Sequence, residues 1–170
     1  MNYTDLETQD KDKNVLDTFK KFLGLEHFGW KFGAIMLIVA TVTMLIAGIC
    51  MLTVGAAAAR SLAQSQAEAS AVSGYPFALM GVLYIVLGVV EFIPSTVISF
   101  IMLKKNEYYQ STVDTDISIA RKRATSVGMI VFCFIFNTIA AIFYLVNFIK
   151  TKNNKEMFDR IEAAQKGGSL

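Results

Sequence analysis

Long stretches of this chain carry no charge. Between Lys31 and Arg60 every residue is uncharged, and Phe32–Ala59 reads FGAIMLIVATVTMLIAGICMLTVGAAAA. A helix needs about 20 residues to cross the ~30 Å hydrocarbon core of a bilayer, so this run predicts a span at about 33–54. A second apolar run, Tyr75–Leu103, is interrupted by Glu91 and Pro94. It is 29 residues long, whereas two crossings need about 40, so it predicts one span at about 77–102, kinked near Pro94. A re-entrant turn at Pro94 is the alternative, and such a backbone would have to be covered by protein. A third run, Ser126–Ile149, has no charge between Arg123 and Lys150 and predicts a span at about 127–149. Buried core helices of a soluble protein are the competing reading, but three such runs exceed the length those helices need. The expected fold class is all-α: a polytopic membrane protein with three transmembrane helices.

The remaining segments divide the chain into 1–31, 32–149 and 150–170. Residues 1–14 are polar and expected to be disordered. In VLDTFKKFL, residues 15–23, the apolar Val15, Leu16, Phe19, Phe22 and Leu23 share one helical face. That pattern predicts a short amphipathic helix, lying in the membrane interface or packed on the end of the bundle. Gly24 and Gly29 can then turn the chain, and Trp30-Lys31 is expected at the membrane boundary, where indole rings and lysines settle. The Ala-rich connector after Gly55 favours helix, so the first span can extend past the bilayer. In STVDTDISIARKR a helix capped near Thr115 or Asp116 is expected, a better reading of Asp-Thr-Asp than a cation site, which needs a fuller ligand cage. Glu156–Gln165 reads as a further helix. The long apolar core of the first span exceeds a signal peptide's and reads as an uncleaved anchor.

Charge adds an orientation. The 170 residues hold 16 Lys and Arg against 14 Asp and Glu, a net charge of +2, too small to point to nucleic acid. Five basic residues precede the first span, one lies in the first connector, five in the second and five in the tail. With three spans, the N-terminal region and second connector share a side, ten basic residues against six. Positive residues concentrate on the cytoplasmic side, so the N-terminus is expected inside and the tail outside. Cys50 and Cys133 fall within apolar runs and His27 stands alone. No metal-ligand spacing, phosphate loop or nucleophile–base pair is present. No catalytic residue, metal or cofactor is therefore assigned, and the protein is expected not to be an enzyme.

In lipid, helices associate through small residues and polar contacts. Small residues recur every seven positions at Ala34, Thr41, Gly48 and Gly55, and again at Gly74, Gly81, Gly88 and Ser95. A seven-residue period keeps one side of a helix facing its partner, so these two stripes are expected to face each other. Glu91 is central in the second run. A charge there is costly and seeks a partner, which Asn137, Thr41 and Thr43 can supply as one midplane polar layer. Pro94 frees the carbonyl of Val90 beside it. Glu91 then either fixes helix register as a neutral acid or responds to protons or cations.

The order of landmarks resembles an uncharacterised family of small bacterial multi-helix inner-membrane proteins, a domain of unknown function. The matching features are Trp30-Lys31-Phe32, Pro76-Phe77, Leu83-Tyr84-Ile85, Phe92 with Pro94, a charged connector and a last apolar span from Gly128, covering roughly 30–149. The resemblance implies a location in the bacterial inner (plasma) membrane and no activity. Glu91 and the basic tail fall outside its pattern. The expected function is that of a small scaffold or accessory subunit acting through helix–helix contacts. Membrane lipids and another membrane protein, or a second copy, are its expected partners. The alternative is a subunit of an ion- or solute-transporting assembly that uses Glu91.

Overall fold

A computed structural model of the chain describes residues 3–64 and 71–167, with side chains over 8–61 and 76–167. The described elements are helices: α1 (Tyr3–Gln64), α2 (Ala71–Leu87), a π turn (Gly88–Phe92), α3 (Ile93–Thr112), α4 (Ile117–Ala124), α5 (Val127–Phe136), α6 (Thr138–Asn153) and α7 (Lys155–Lys166). They divide into two compact units, Ala34–Ile98 and the combination of Met1–Gly33 with Ser99–Leu170.

Unit Ala34–Ile98 pairs the second part of α1 with α2, the π turn and the start of α3. Among the described residues two helices, Thr8–Ser61 and Pro76–Thr112, are long and apolar enough to cross a membrane. Only 6% and 11% of their most apolar windows are buried within the chain, unlike the core helices of a soluble protein. The pairing is antiparallel: Gly81 lies against Gly48 and Leu52, and Gly88 against Met44 and Leu45. Pro94 is accommodated by the π turn directly before it. Proline clashes with the carbonyl four residues earlier, that of Val90, and the wider turn takes up this crowding while the chain stays helical through Ile93. The path is thus continuously helical, as expected of a single span, and the alternative of a re-entrant turn at Pro94 is not adopted.

The other unit carries its own core. Phe19 and Leu23 of α1 pack with Val113, Ile117, Ala120 and Ala124, and with Met157, Phe158 and Ile161 of α7. The apolar face of residues 15–23 is therefore packed on the chain itself. It forms no separate short helix: α1 is helical from Tyr3, through the segment expected to be disordered, and past Gly24 and Gly29. One glycine costs a helix about 1 kcal/mol, which the flanking residues and this packing outweigh. Asp116 caps α4, accepting from the Ser118 N–H at 3.0 Å.

The third apolar run departs most from expectation. It is not one helix. Asn137 adopts extended backbone (φ −159°, ψ 92°) and divides it into α5 and α6. Its side chain accepts from the Ala140 N–H at 3.0 Å, capping α6, while its own N–H closes α5 on the Cys133 carbonyl. Asparagine competes for helix ends in this way. The chain then turns back: the Tyr144 hydroxyl of α6 reaches the Ser126 carbonyl at the start of α5, 3.1 Å away. The run 127–149 is thus a helical hairpin rather than a third span.

The hairpin also reverses the tail. Phe158 meets Phe19 edge to face at 5.2 Å, and Arg160 makes two hydrogen bonds to the Asp12 carboxylate, at 2.6 and 3.1 Å. The tail and the N-terminal region share one compact unit, so they cannot lie on opposite sides of a membrane, contrary to the expected outside tail.

Candidate functional site

The buried face of α1 continues beyond Phe19 and Leu23 at helical spacing to Glu26, Trp30 and Ala34, all buried. A carboxylate and an indole thus occupy positions where the period calls for apolar residues. Glu26 is 1% exposed and meets Arg123 of α4, 7% exposed. The two form a bidentate pair, with Arg123 Nη1 donating to Glu26 Oε2 at 3.0 Å and Nη2 donating to Oε1. Trp30 Nε1 donates to Glu26 Oε1 at 3.3 Å. The guanidinium lies over the rings of Tyr109 (4.8 Å) and Tyr144 (5.3 Å), an arrangement favoured for a desolvated cation. The Tyr144 hydroxyl also engages the Arg123 carbonyl, satisfying acceptors that the end of α4 leaves over. Burial pulls the Arg123 pKa down, but the Glu26 charge and hydrogen bonds outweigh it, and the net shift is upward. Arg123 therefore keeps its charge inside the unit.

Further polar side chains continue this seam. Asn106 and Gln110 donate to the Leu23 carbonyl at 3.4 and 3.1 Å, and Thr151 donates to the Asn147 carbonyl at 2.7 Å. Arg123 Nε, Asn106 Oδ1, Asn147 Oδ1 and His27 Nδ1 are buried without a hydrogen-bond partner among the described residues. Trp30 is fully buried, and its ring N–H serves the Glu26 carboxylate.

A second feature lies at the hairpin tip. Gly29 and Gly33, one helical turn apart on α1, leave a slot for Asn137 and Ala140. A Cβ at Gly29 would come 2.9 Å from the Ala140 nitrogen, and one at Gly33 would overlap the Asn137 amide. The Asn137 amide donates to the Gly29 carbonyl at 2.9 Å. Glycine here permits a helix-to-helix approach that any side chain would block.

The polar layer expected from Glu91, Asn137, Thr41 and Thr43 is not assembled. Asn137 is spent on Gly29 and Ala140. The hydroxyls of Thr41 and Thr43 donate to their own helix at Leu37 and Val39, 2.7 and 2.8 Å. The Glu91 side chain is exposed, and the Glu91 carbonyl accepts from the Ser95 hydroxyl at 2.8 Å. Of the two small-residue stripes, Ala34, Gly48, Gly55, Gly81 and Gly88 are buried, and Thr41 and Ser95 are half-buried. Gly74 falls outside the residues whose side chains are described. The closest backbone approach within the stripes joins Gly48 and Gly81: a Cβ on either would come 2.8 Å from the other's carbonyl oxygen.

An open groove of about 870 Å³ lies between α1 and α7, lined by Asp10, Asp12, Lys13, Asp114 and Arg160 among others. It holds charges of both signs and the Asp12–Arg160 pair crosses it. Its lining contains no nucleophile–base pair. Chemically, the buried Glu26–Arg123 centre is suited to holding helices in register, since both charges are consumed by each other.

Glu26 and Arg123 were not among the residues expected to matter. The available signal was Glu26 at a position continuing the stripe of Phe19 and Leu23. No matching signal marks Arg123, which sits in a basic cluster that reads as solvated. Comparison with known protein families, curated proteins and solved structures gave no match, so the family resemblance rests on its landmark residues alone.

Proposed function

We propose that this chain is a non-enzymatic integral membrane protein, a small scaffold or accessory subunit acting through helix contacts. In this reading the pair of apolar helices crosses the bilayer and carries a folded helical unit on the cytoplasmic side. One observation carries it. Fifteen of the sixteen Lys and Arg residues fall within the unit that unites both ends of the chain, and only Arg60 falls in Ala34–Ile98. A fifteen-to-one distribution is far more decisive under the positive-inside rule than the ten-to-six count of three spans. The resemblance of its landmarks supports the bacterial inner membrane as the location. The scaffold role draws on a unit built from mutually satisfied charges rather than a reactive site. Its partner would be another membrane protein or a second copy.

Glu91 supports a second reading, a subunit of an ion- or solute-transporting assembly. It lies in a π turn, a feature frequent at functional sites, and its exposed carboxyl in an apolar span calls for a partner. Glutamine and leucine at position 91 separate the two. In the scaffold reading the Glu91 carboxyl is exposed and outside any polar layer, so glutamine or leucine leaves abundance and growth at the wild-type level. A well-folded but inactive Glu91→Gln protein would replace the scaffold by the ion-coupled reading. Reporter fusions test the membrane arrangement: both termini should report the cytoplasm and an insertion at residues 65–70 the opposite side.

A further inference from the structure

The hairpin of α5 and α6 exposes a flank that nothing in its own unit covers. Val131, Phe134, Ile135, Ile139 and Ile142 are all exposed, Ile135 at 70%. Soluble proteins rarely leave apolar side chains clustered in this way. We propose that this hairpin enters a single leaflet of the bilayer, the one on the side of both chain termini, with lipid acyl chains covering its apolar flank. The proposal rests on the membrane reading above and adds a third lipid contact that does not cross.

Four observations carry it. First, α5 has ten residues, about 15 Å at 1.5 Å per residue, too short to cross a ~30 Å hydrocarbon core. Second, α6 returns, with the Tyr144 hydroxyl at the Ser126 carbonyl, so the segment comes back to the side from which it left. Third, the tip meets the condition lipid imposes. Non-helical backbone at membrane depth has to be covered by protein with its polar groups satisfied. Asn137 is buried, its N–H bonds the Cys133 carbonyl, its amide donates to Gly29, and its Oδ1 accepts from Ala140. Fourth, the slot that receives the tip ends at Gly33, and the uncharged run of the first span follows it directly in sequence. At the other end of α6, the Lys150 ammonium lies 4.9 Å from the Phe22 ring and that of Lys152 lies 4.8 Å from the Phe148 ring. Lysines placed over apolar rings at the foot of such a hairpin can hold their charge at the headgroup level, beside lipid phosphates.

A photoreactive benzoylphenylalanine at position 135, in the full chain and in native membranes, tests this. Ile135 is mostly exposed, so the replacement leaves the core intact. Val42, exposed within the first span, is the lipid-facing reference, and Asp159, exposed on α7, the non-lipid reference. On irradiation, phospholipid adducts are expected at 135 and 42 and none at 159. A lipid adduct at 42 without one at 135, or a cross-linked dimer at 135, overturns the hairpin proposal and leaves the membrane reading standing. Equal labelling at 159 overturns it too, because the hairpin is then not singled out. Absence of lipid adducts at both 42 and 135 removes both readings.

Discussion

The two units of this chain are held by opposite means. In Ala34–Ile98 the helices meet through glycine, backbone against backbone, and large apolar side chains point outward. In the unit of both chain ends, apolar side chains point inward and a buried charge pair ties α1 to α4. The contrast follows from the surroundings each suits. Between helices in lipid, burying leucine gains nothing, because lipid is equally apolar, so close approach decides. Next to water, apolar burial drives folding, and a charge can be buried only with its counter-charge.

The sharpest way to break this contrast is to remove one member of the buried pair. Glu26→Leu or Arg123→Met leaves an uncompensated charge inside the unit, and such losses amount to about 3–5 kcal/mol. Thermal melting in mild detergent should show a large fall for either single variant. The double variant should recover much of it, since replacing a whole buried pair by apolar groups is often neutral or better. Equal damage in the single and double variants would show that the pair contributes nothing beyond its packing volume.

Next in size is the glycine contact. Gly81→Leu forces a side chain into a space where a Cβ already lies 2.8 Å from a backbone oxygen. Overpacking of this kind costs about 1–3 kcal/mol. Gly88→Ala supplies the contrast, because its Cβ would meet Leu45 and Met44 at 3.5 and 3.6 Å, ordinary contact. Detergent stability should drop for Gly81→Leu and hold for Gly88→Ala. Similar losses in both would mean that the stripe is uniformly tight and that Gly48–Gly81 is not its crux.

The smallest effect is a gain. A Cβ at Gly24 meets nothing within 4 Å, and alanine is favoured over glycine in a helix by about 0.8–1.0 kcal/mol. Gly24→Ala should raise the melting temperature slightly. A decrease would reveal that α1 bends at this residue in solution, as the sequence alone had suggested.

Much of the molecule is legible without coordinates. The two long apolar helices follow from the absence of charge over lengths that match a bilayer, and the helical tail follows from the pattern of 156–165. Asp116 as a cap follows from its place before an apolar and basic run. Glu91, Thr41, Thr43 and Asn137 were legible as unusual but not as unrelated. A polar residue in an apolar run announces that it needs a partner and leaves its choice open. Threonine can return its hydroxyl to its own helix, and asparagine can end one helix and start another.

What the sequence determined by itself is therefore local: where apolar stretches begin and end, which faces repeat, where a cap is favoured. Tertiary structure decided whether Ser126–Ile149 stays one helix. Asn137 lacks proline's covalent constraint, and its break is stabilised by the Gly29 carbonyl more than 100 positions away and by the space Gly33 leaves open. The chain turns back at this break, the tail packs against Phe19, and fifteen of the sixteen Lys and Arg residues fall in one compact unit. The pairing of Glu26 with Arg123, 97 positions apart, was hidden for the same reason. A charge shows in the sequence, but its partner emerges only when packing removes both from water.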